Sequence, residues 1–272
     1  MEHYLITRFN LKNENWHNPN SDNHVLSNTW LDERFNIFET YCLPSIENQT
    51  NKNFKWLVCF DIDTPKDYSS KIKNLEIHLP FFQPLFIDGF KNLEKDISNF
   101  VKADSQNRFI ITTRLDNDDI VHKNFIKTIQ NLFQPKSAVI NINLGYQLIL
   151  MPNKNYQLRL VKKEHNPFMS VISEKDNFES VLSKEHHYWK SHNHQIINKN
   201  ERLWIQFVHG NNVLNDISKT SKKTTNFKMD DFGLKNIEID ERDIDVVFYN
   251  IKTLPNRLFK NVKLILKTLI NK

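Results

Sequence analysis

Glycine is scarce in this chain: of 272 residues only Gly89, Gly145, Gly210 and Gly233, all far apart. That scarcity excludes whole classes of chemistry. Without G-x-G-x-x-G or G-x-x-x-x-G-K-[ST], neither a dinucleotide fold nor a P-loop has a backbone cradle for phosphate. The G-x-S-x-G nucleophile elbow is missing too. Cysteine is nearly absent. Cys42 and Cys59 have neither the number for a disulfide framework nor the spacing of a zinc site, so both are expected to be reduced, buried fillers. No apolar run reaches the ~20 residues that cross a bilayer. The start, Met1-Glu2-His3-Tyr4, lacks the basic-then-apolar order of a signal peptide. A cytoplasmic location is expected. No repeat or low-complexity tract is found.

A formal charge of +5 invites a nucleic-acid reading, so its location matters. Five cations and no acid lie between Leu254 and Lys272, and removing them leaves 32 basic against 32 acidic residues. A neutral body argues against a nucleic-acid face.

What is present is an aromatic-rich apolar pattern, with 20 Phe, in a length suited to one large α/β domain. His3–Phe9, Phe54–Phe60, Pro84–Ile87 and Phe109–Leu115 read as strands. Leu31, Phe35, Phe38 and Cys42 recur at helical spacing, with Pro44 expected to kink or end that helix. Leu93, Ile97, Phe100 and Val101 mark a second helix, and Val121, Phe125, Ile129 and Leu132 a third. This β-α-β order predicts a parallel sheet with helices on its faces. After Pro135, Ala138–Ile142 and Tyr146–Met151 read as two strands joined at Asn143-Leu144-Gly145, with Gln157–Val161 following. Ser173–Asn200 reads as helix plus loop, Arg202–Val208 as a strand, and Thr220–Asp243 as loosely held. The expected organisation is a domain over 1–253, with a nucleotide-binding half (1–134) and an acceptor half (135–253). A basic amphipathic helix over 254–272 follows.

The strongest chemical signal is Arg114-Leu115-Asp116-Asn117-Asp118-Asp119. Three carboxylates in four residues repel one another in a core. They end an apolar strand and precede a helix, the edge where open α/β sheets bind ligands. Grouped oxygens suit Mg²⁺ or Mn²⁺, and such a cation can bridge a diphosphate. The bland alternative, an Asp119 helix cap beside solvated neighbours, leaves two acids unexplained.

At these residues the chain resembles a rhamnosyltransferase family of bacteria with the GT-A type of fold. The likeness rests on Thr7-Arg8-Phe9-Asn10, on Trp30-Leu31-Asp32-Glu33-Arg34-Phe35, on Leu43-Pro44-Ser45-Ile46 with Gln49-Thr50, and on Phe54-Lys55-Trp56-Leu57-Val58. It continues through Thr113–Asp119 and Trp204-Ile205-Gln206-Phe207-Val208-His209-Gly210-Asn211-Asn212. The resemblance implies an α/β, GT-A-like, Rossmann-like mixed sheet flanked by helices, and transfer of a sugar from a nucleoside-diphosphate donor to a saccharide or lipid-linked saccharide.

By the same resemblance Asp116–Asp119 is the DxD element. Asp118 and Asp119 would touch Mn²⁺ or Mg²⁺, and Asp116 and Asn117 would lie nearer the nucleotide-sugar. Thr7, Arg8 and Asp61 would line the nucleoside pocket, and His209 would be a late metal or diphosphate ligand. Arg8 and Arg114 suit diphosphate clamping through the guanidinium fork, while Arg34 is expected to pack along its helix. An inverting reaction needs a carboxylate base. Glu174, Asp176, Glu185, Asp230 and Asp231 are candidates, with Glu174 preferred because it follows the strand Phe168–Ser173. His186, His187, His192 and His194 fit no common zinc spacing and are expected at the acceptor or in solvent.

In the tail, Leu258, Phe259, Val262, Ile265, Leu266, Leu269 and Ile270 share one helical face opposite Lys260, Lys263 and Lys267. Such a helix lies on an anionic membrane or docks on the domain. Two rival functions use the same features: a metal-dependent phosphoryl-transfer or hydrolytic enzyme, and a non-catalytic carbohydrate-binding protein of the same fold.

Overall fold

Strands covered on both faces need apolar residues at nearly every position. In the computed structural model β2 (Lys55–Asp61) meets that need with the buried run Trp56–Phe60, while β1 (Glu2–Arg8), β3 (Phe82–Ile87) and β4 (Phe109–Arg114) carry shorter apolar runs. The structure describes residues 1–13, 24–209, 221–235, 237–239, 241–259 and 262. The four strands are parallel, in the order β3-β2-β1-β4. Past β4 the sheet becomes mixed, adding the antiparallel β8 (Ser170–Glu174), then β6 (Ala138–Leu150), β9 (Gln195–Val208) and the two-residue β5 (Ile120–Val121). β7 (Tyr156–Lys162) pairs beside β6. This is the expected GT-A-like mixed sheet flanked by helices.

One face carries α1 (Asn28–Ile37), α2 (Leu43–Glu47) and α5 (Phe125–Asn131), whose Leu31, Phe35, Ile46, Phe125 and Ile129 pack on Leu5, Trp56 and Ile111. The other face carries α4 (Leu93–Asp104) and a long connection holding Phe178, Val181 and Trp189. Phe9 joins the first core at the site end, 4.5 Å from the Phe35 ring and 4.8 Å from Phe60.

Several expectations are corrected. Pro44 does not end its helix. A π turn at Phe38–Cys42, with Leu43 N–H donating to Phe38 O, carries the rod on through Pro44 to Glu47. Val121 belongs to β5 rather than to α5. Gly145 is no turn: it lies within the single strand β6, where an added Cβ would fall 2.1 Å from the Trp204 ring. α3 (Ser69–His78) was not foreseen, since Ile72 is its only buried residue. Ser173–Asn200 begins in the end of β8 and ends in β9, which starts at Gln195, and its one helical piece between them is a short 3-10 helix at His186–Ser191. Phe232, Leu234 and Ile237 pack against Tyr41, Leu158 and Phe207, so that stretch is held by the core. Cys42 and Cys59 are free and buried, as expected.

Candidate functional site

β1 and β4 run parallel as neighbours, so the residues ending them emerge together. Arg8 Nη2 donates to Asp116 Oδ1 at 3.2 Å, and Arg114 Nη2 donates to Asp116 Oδ2 at 2.8 Å. Burial alone would raise Asp116, but Arg114 and Arg8 outweigh it and hold this carboxyl well below the usual range. Asn117 Nδ2 donates to Phe9 O at 3.0 Å and fixes the loop between the two strands.

The other half of the cluster reaches across the sheet. Arg34 Nη1 donates to Asn117 Oδ1 at 3.0 Å and to Asp118 Oδ2 at 3.1 Å, with its guanidinium over Trp30 at 4.9 Å. It does not simply lie along α1. His209 Nε2, just past β9, sits 3.3 Å from the same Asp118 oxygen. Asp119 Oδ1 accepts from Phe207 N at 3.0 Å, tying the loop to β9. Burial, then the charges of Asp118 and Asp116, push Asp119 well above the ordinary carboxylate range. Beneath the loop the Cys42 thiol points at Asp116 O, 3.8 Å away. Three aspartates are thus interleaved with three guanidiniums, Arg8, Arg34 and Arg114.

Residues 3–221 match the family model described as "Putative rhamnosyl transferase". The chain belongs to this family. No curated protein shows a significant match. Among solved structures, S. aureus TarS 1-349 in complex with UDP-GlcNAc is 13% identical at a TM-score of 0.45, covering 77% of this chain and 59% of that one. HddC from Yersinia pseudotuberculosis is 12% identical at 0.36, covering 72% and 90%. A 4-diphosphocytidyl-2C-methyl-D-erythritol synthase from Anaerococcus prevotii is 11% identical at 0.36, covering 92% and 97%. The chain thus spans about three fifths of the TarS 1-349 chain.

Within this family member the structure brings together Arg8, Arg114, Asp116, Asn117, Asp118, Asp119 and His209. Asp61 lies at the same sheet edge but is fully buried, its oxygens taken by Lys12 N at 3.0 Å and Asp63 N at 3.1 Å. Thr7 is also buried, its hydroxyl accepting from Trp56 Nε1 at 2.9 Å. Thr7 therefore braces the sheet beneath the site and lines no pocket.

Glu174 and Asp231 both lie away from this cluster. β8 runs antiparallel to β4, so Glu174 pairs with Phe109 at the far edge of the sheet. Seven residues at ~3.3 Å each separate that edge from Asp116, about 20 Å. Asp231 lies at the other end of the α1–α2 rod. It pairs with Lys123 Nζ at 2.6 Å, while the adjacent Asp230 O accepts from Asn48 Nδ2. At ~1.5 Å per residue, Asn48 is about 20 Å from Arg34 along the rod.

The acid that does approach is Glu185, with Oε2 3.8 Å from Arg114 Nη1 and 3.9 Å from His186 Nδ1. Burial, then the charges of Arg114 and Lys163, lower His186 to about 4, leaving it neutral at physiological pH. Lys163 is lowered by burial and sits in the fields of Asp119 and Arg114. His192 and His194 turn away, toward Ser137 and Gln134. Gly210, Asn211 and Asn212 lie outside the described residues.

The separation of Asp118 Oδ2 from His209 Nε2, 3.3 Å, suits two adjacent ligands of one cation, given bonds of about 2.1 Å. Among the described residues no three His, Cys, Asp or Glu side chains group to cage a metal. A cation held by this pair would have to complete its shell from other oxygens, such as phosphate and water, as Mg²⁺ commonly does.

Proposed function

We propose that this chain is a metal-dependent glycosyltransferase. It moves a sugar, rhamnose by the family's name, from a nucleoside-diphosphate donor to a saccharide or lipid-linked saccharide hydroxyl. The product belongs to surface polysaccharide or lipopolysaccharide, and the reaction takes place on the cytoplasmic side. The observation that carries the reading is the meeting of Asp118 and His209 at 3.3 Å beside three arginines, at the ligand-binding edge of the sheet.

Asp118 and His209 would hold Mn²⁺ or Mg²⁺, with Asp119 locking the Asp118 loop to β9. When bound, the cation offsets the charge of the diphosphate. Asp116 already pairs with Arg8 and Arg114, and Asp118 with Arg34, so these cations are largely offset before a diphosphate enters. Arg8 and Arg114 orient phosphate oxygens from the opposite side. Glu185 stands at the open rim and accepts the acceptor's proton. The acceptor oxygen bonds the anomeric carbon, the bond from that carbon to the diphosphate breaks, and its electron pair leaves with the nucleoside diphosphate. Isothermal titration with UDP and dTDP, each with and without Mn²⁺, tests the reading. Nucleotide binding that needs Mn²⁺ and vanishes in Asp118→Asn is expected. Binding of neither nucleotide, or binding indifferent to both metal and substitution, overturns it.

A further inference from the structure

The helix α6 (Asp243–Lys252) continues in helical residues to Phe259 and is attached to the body by one side only. On that side Val246 is buried, Tyr249 OH accepts from Arg159 Nη1 at 2.7 Å, and Asn250 exchanges two 3.0 Å hydrogen bonds with the Lys223 backbone. An ordinary surface helix turns its apolar stripe to this side. Here the stripe faces away. Ile244, Val247, Phe248, Ile251, Leu258 and Phe259 recur at steps of three, four and seven, and each is at least half exposed. Exposed apolar patches of this size mark an interaction surface.

The charge pattern selects the occupant. From Leu254 onward the chain carries five cations and no acid, while the remainder is neutral. A second copy of this helix would bring like charges together, whereas an anionic lipid surface takes both the apolar stripe and the cations. Among the described residues no helix is long and apolar enough to cross a membrane, so the contact is lateral.

We propose that residues 244–259 form a membrane-docking face that lies in the headgroup layer of anionic phospholipid with the helix parallel to the surface. Its seat gives that contact a direction. Arg159 on β7 pairs with Gln147 on β6, which pairs with Gln206 on β9, three residues before His209. The helix is therefore anchored two strands from the segment that delivers His209. That arrangement suits a lipid-linked acceptor, a clause that rests on the proposed function; the lipid contact itself does not.

Co-sedimentation of the full chain with phosphatidylcholine vesicles, with and without phosphatidylglycerol, tests the docking face. Binding at least tenfold stronger to the anionic vesicles is expected, weakening as salt rises. The exposed pair Phe248→Ser with Phe259→Ser should lose at least tenfold of it while keeping the melting temperature. Equal binding by wild type and variant, or no vesicle binding with a concentration-dependent dimer that the variant abolishes, overturns the proposal. If the vesicles bind as expected but nucleotide titration fails, the assignment of the reaction falls and the lipid face stands.

Discussion

The two edges of the parallel sheet carry the same kinds of residue and handle them differently. At the N-terminal edge, Asp104 accepts from Lys55 Nζ and from Tyr4 OH at 2.6 Å, and Glu174 lies 3.6 Å from Arg108. Burial would raise Asp104, but the hydrogen bonds from Lys55 and Tyr4 outweigh it and lower it. There Asp104 and Glu174 each meet a different cation. At the C-terminal edge Asp116 and Asp118 share three arginines and a histidine, and burial, then the charges of Asp118 and Asp116, drive Asp119 up. Crowding of like charge is costly, so it marks the edge built for a ligand that relieves it.

Paired substitutions break this comparison if it is wrong. Asp118→Asn should lower kcat/KM for sugar transfer by about 10³-fold, since it removes one of the two described side chains that would hold the proposed cation. Asp104→Asn should leave transfer within about twofold and cost about 1 kcal/mol of stability, as a partly exposed ion pair does. Steady-state kinetics and urea unfolding on both variants decide it, and similar kinetic losses would erase the distinction between the edges.

Two of the candidate acids sharpen the same contrast. Glu185→Gln should lower kcat by about 10²-fold with KM little changed, the signature of a lost general base. Glu174→Gln, at the opposite edge, should leave both constants as they are. A kinetic loss in Glu174→Gln, or none in Glu185→Gln, would reverse the assignment.

These outcomes show where sequence reasoning stops. The strands β1, β2 and β4 were legible because burial on both faces demands continuous apolar runs, as in Trp56–Phe60. The acidic loop was legible because three carboxylates after such a run have few bland explanations. Glu174 was misjudged because strand direction decides which edge a residue reaches, and β8 reverses relative to β4. Asp231 is another candidate by sequence, yet in the fold it pairs with Lys123. Arg34 was missed because its helical position flanks Leu31 and Phe35, and only the tertiary fold turns that flank toward Asp118. Gly145 was read as a turn because the Trp204 ring that needs its missing Cβ is remote in sequence.

A last substitution, with no expected effect on transfer, tests whether the N-terminal edge is purely structural. His3 is fully enclosed near that edge, with Nε2 2.7 Å from the Thr113 hydroxyl, which in turn meets Ser170 Oγ. Burial lowers its pKa to about 3, so the folded protein keeps it neutral. In the unfolded chain it titrates near its ordinary value of about 6.5. Between those values the unfolded state binds the extra proton, so stability is full above pH 6.5 and falls as pH drops toward 3. A difference of about 3.5 pH units caps this loss at about 5 kcal/mol. His3→Gln should flatten the acid limb of the urea-unfolding curve while leaving nucleotide binding at pH 7.5 unchanged. An acid limb as steep as that of the wild type would mean that other groups set it. A loss of nucleotide binding would mean that the satisfied edge communicates with the crowded one along β1.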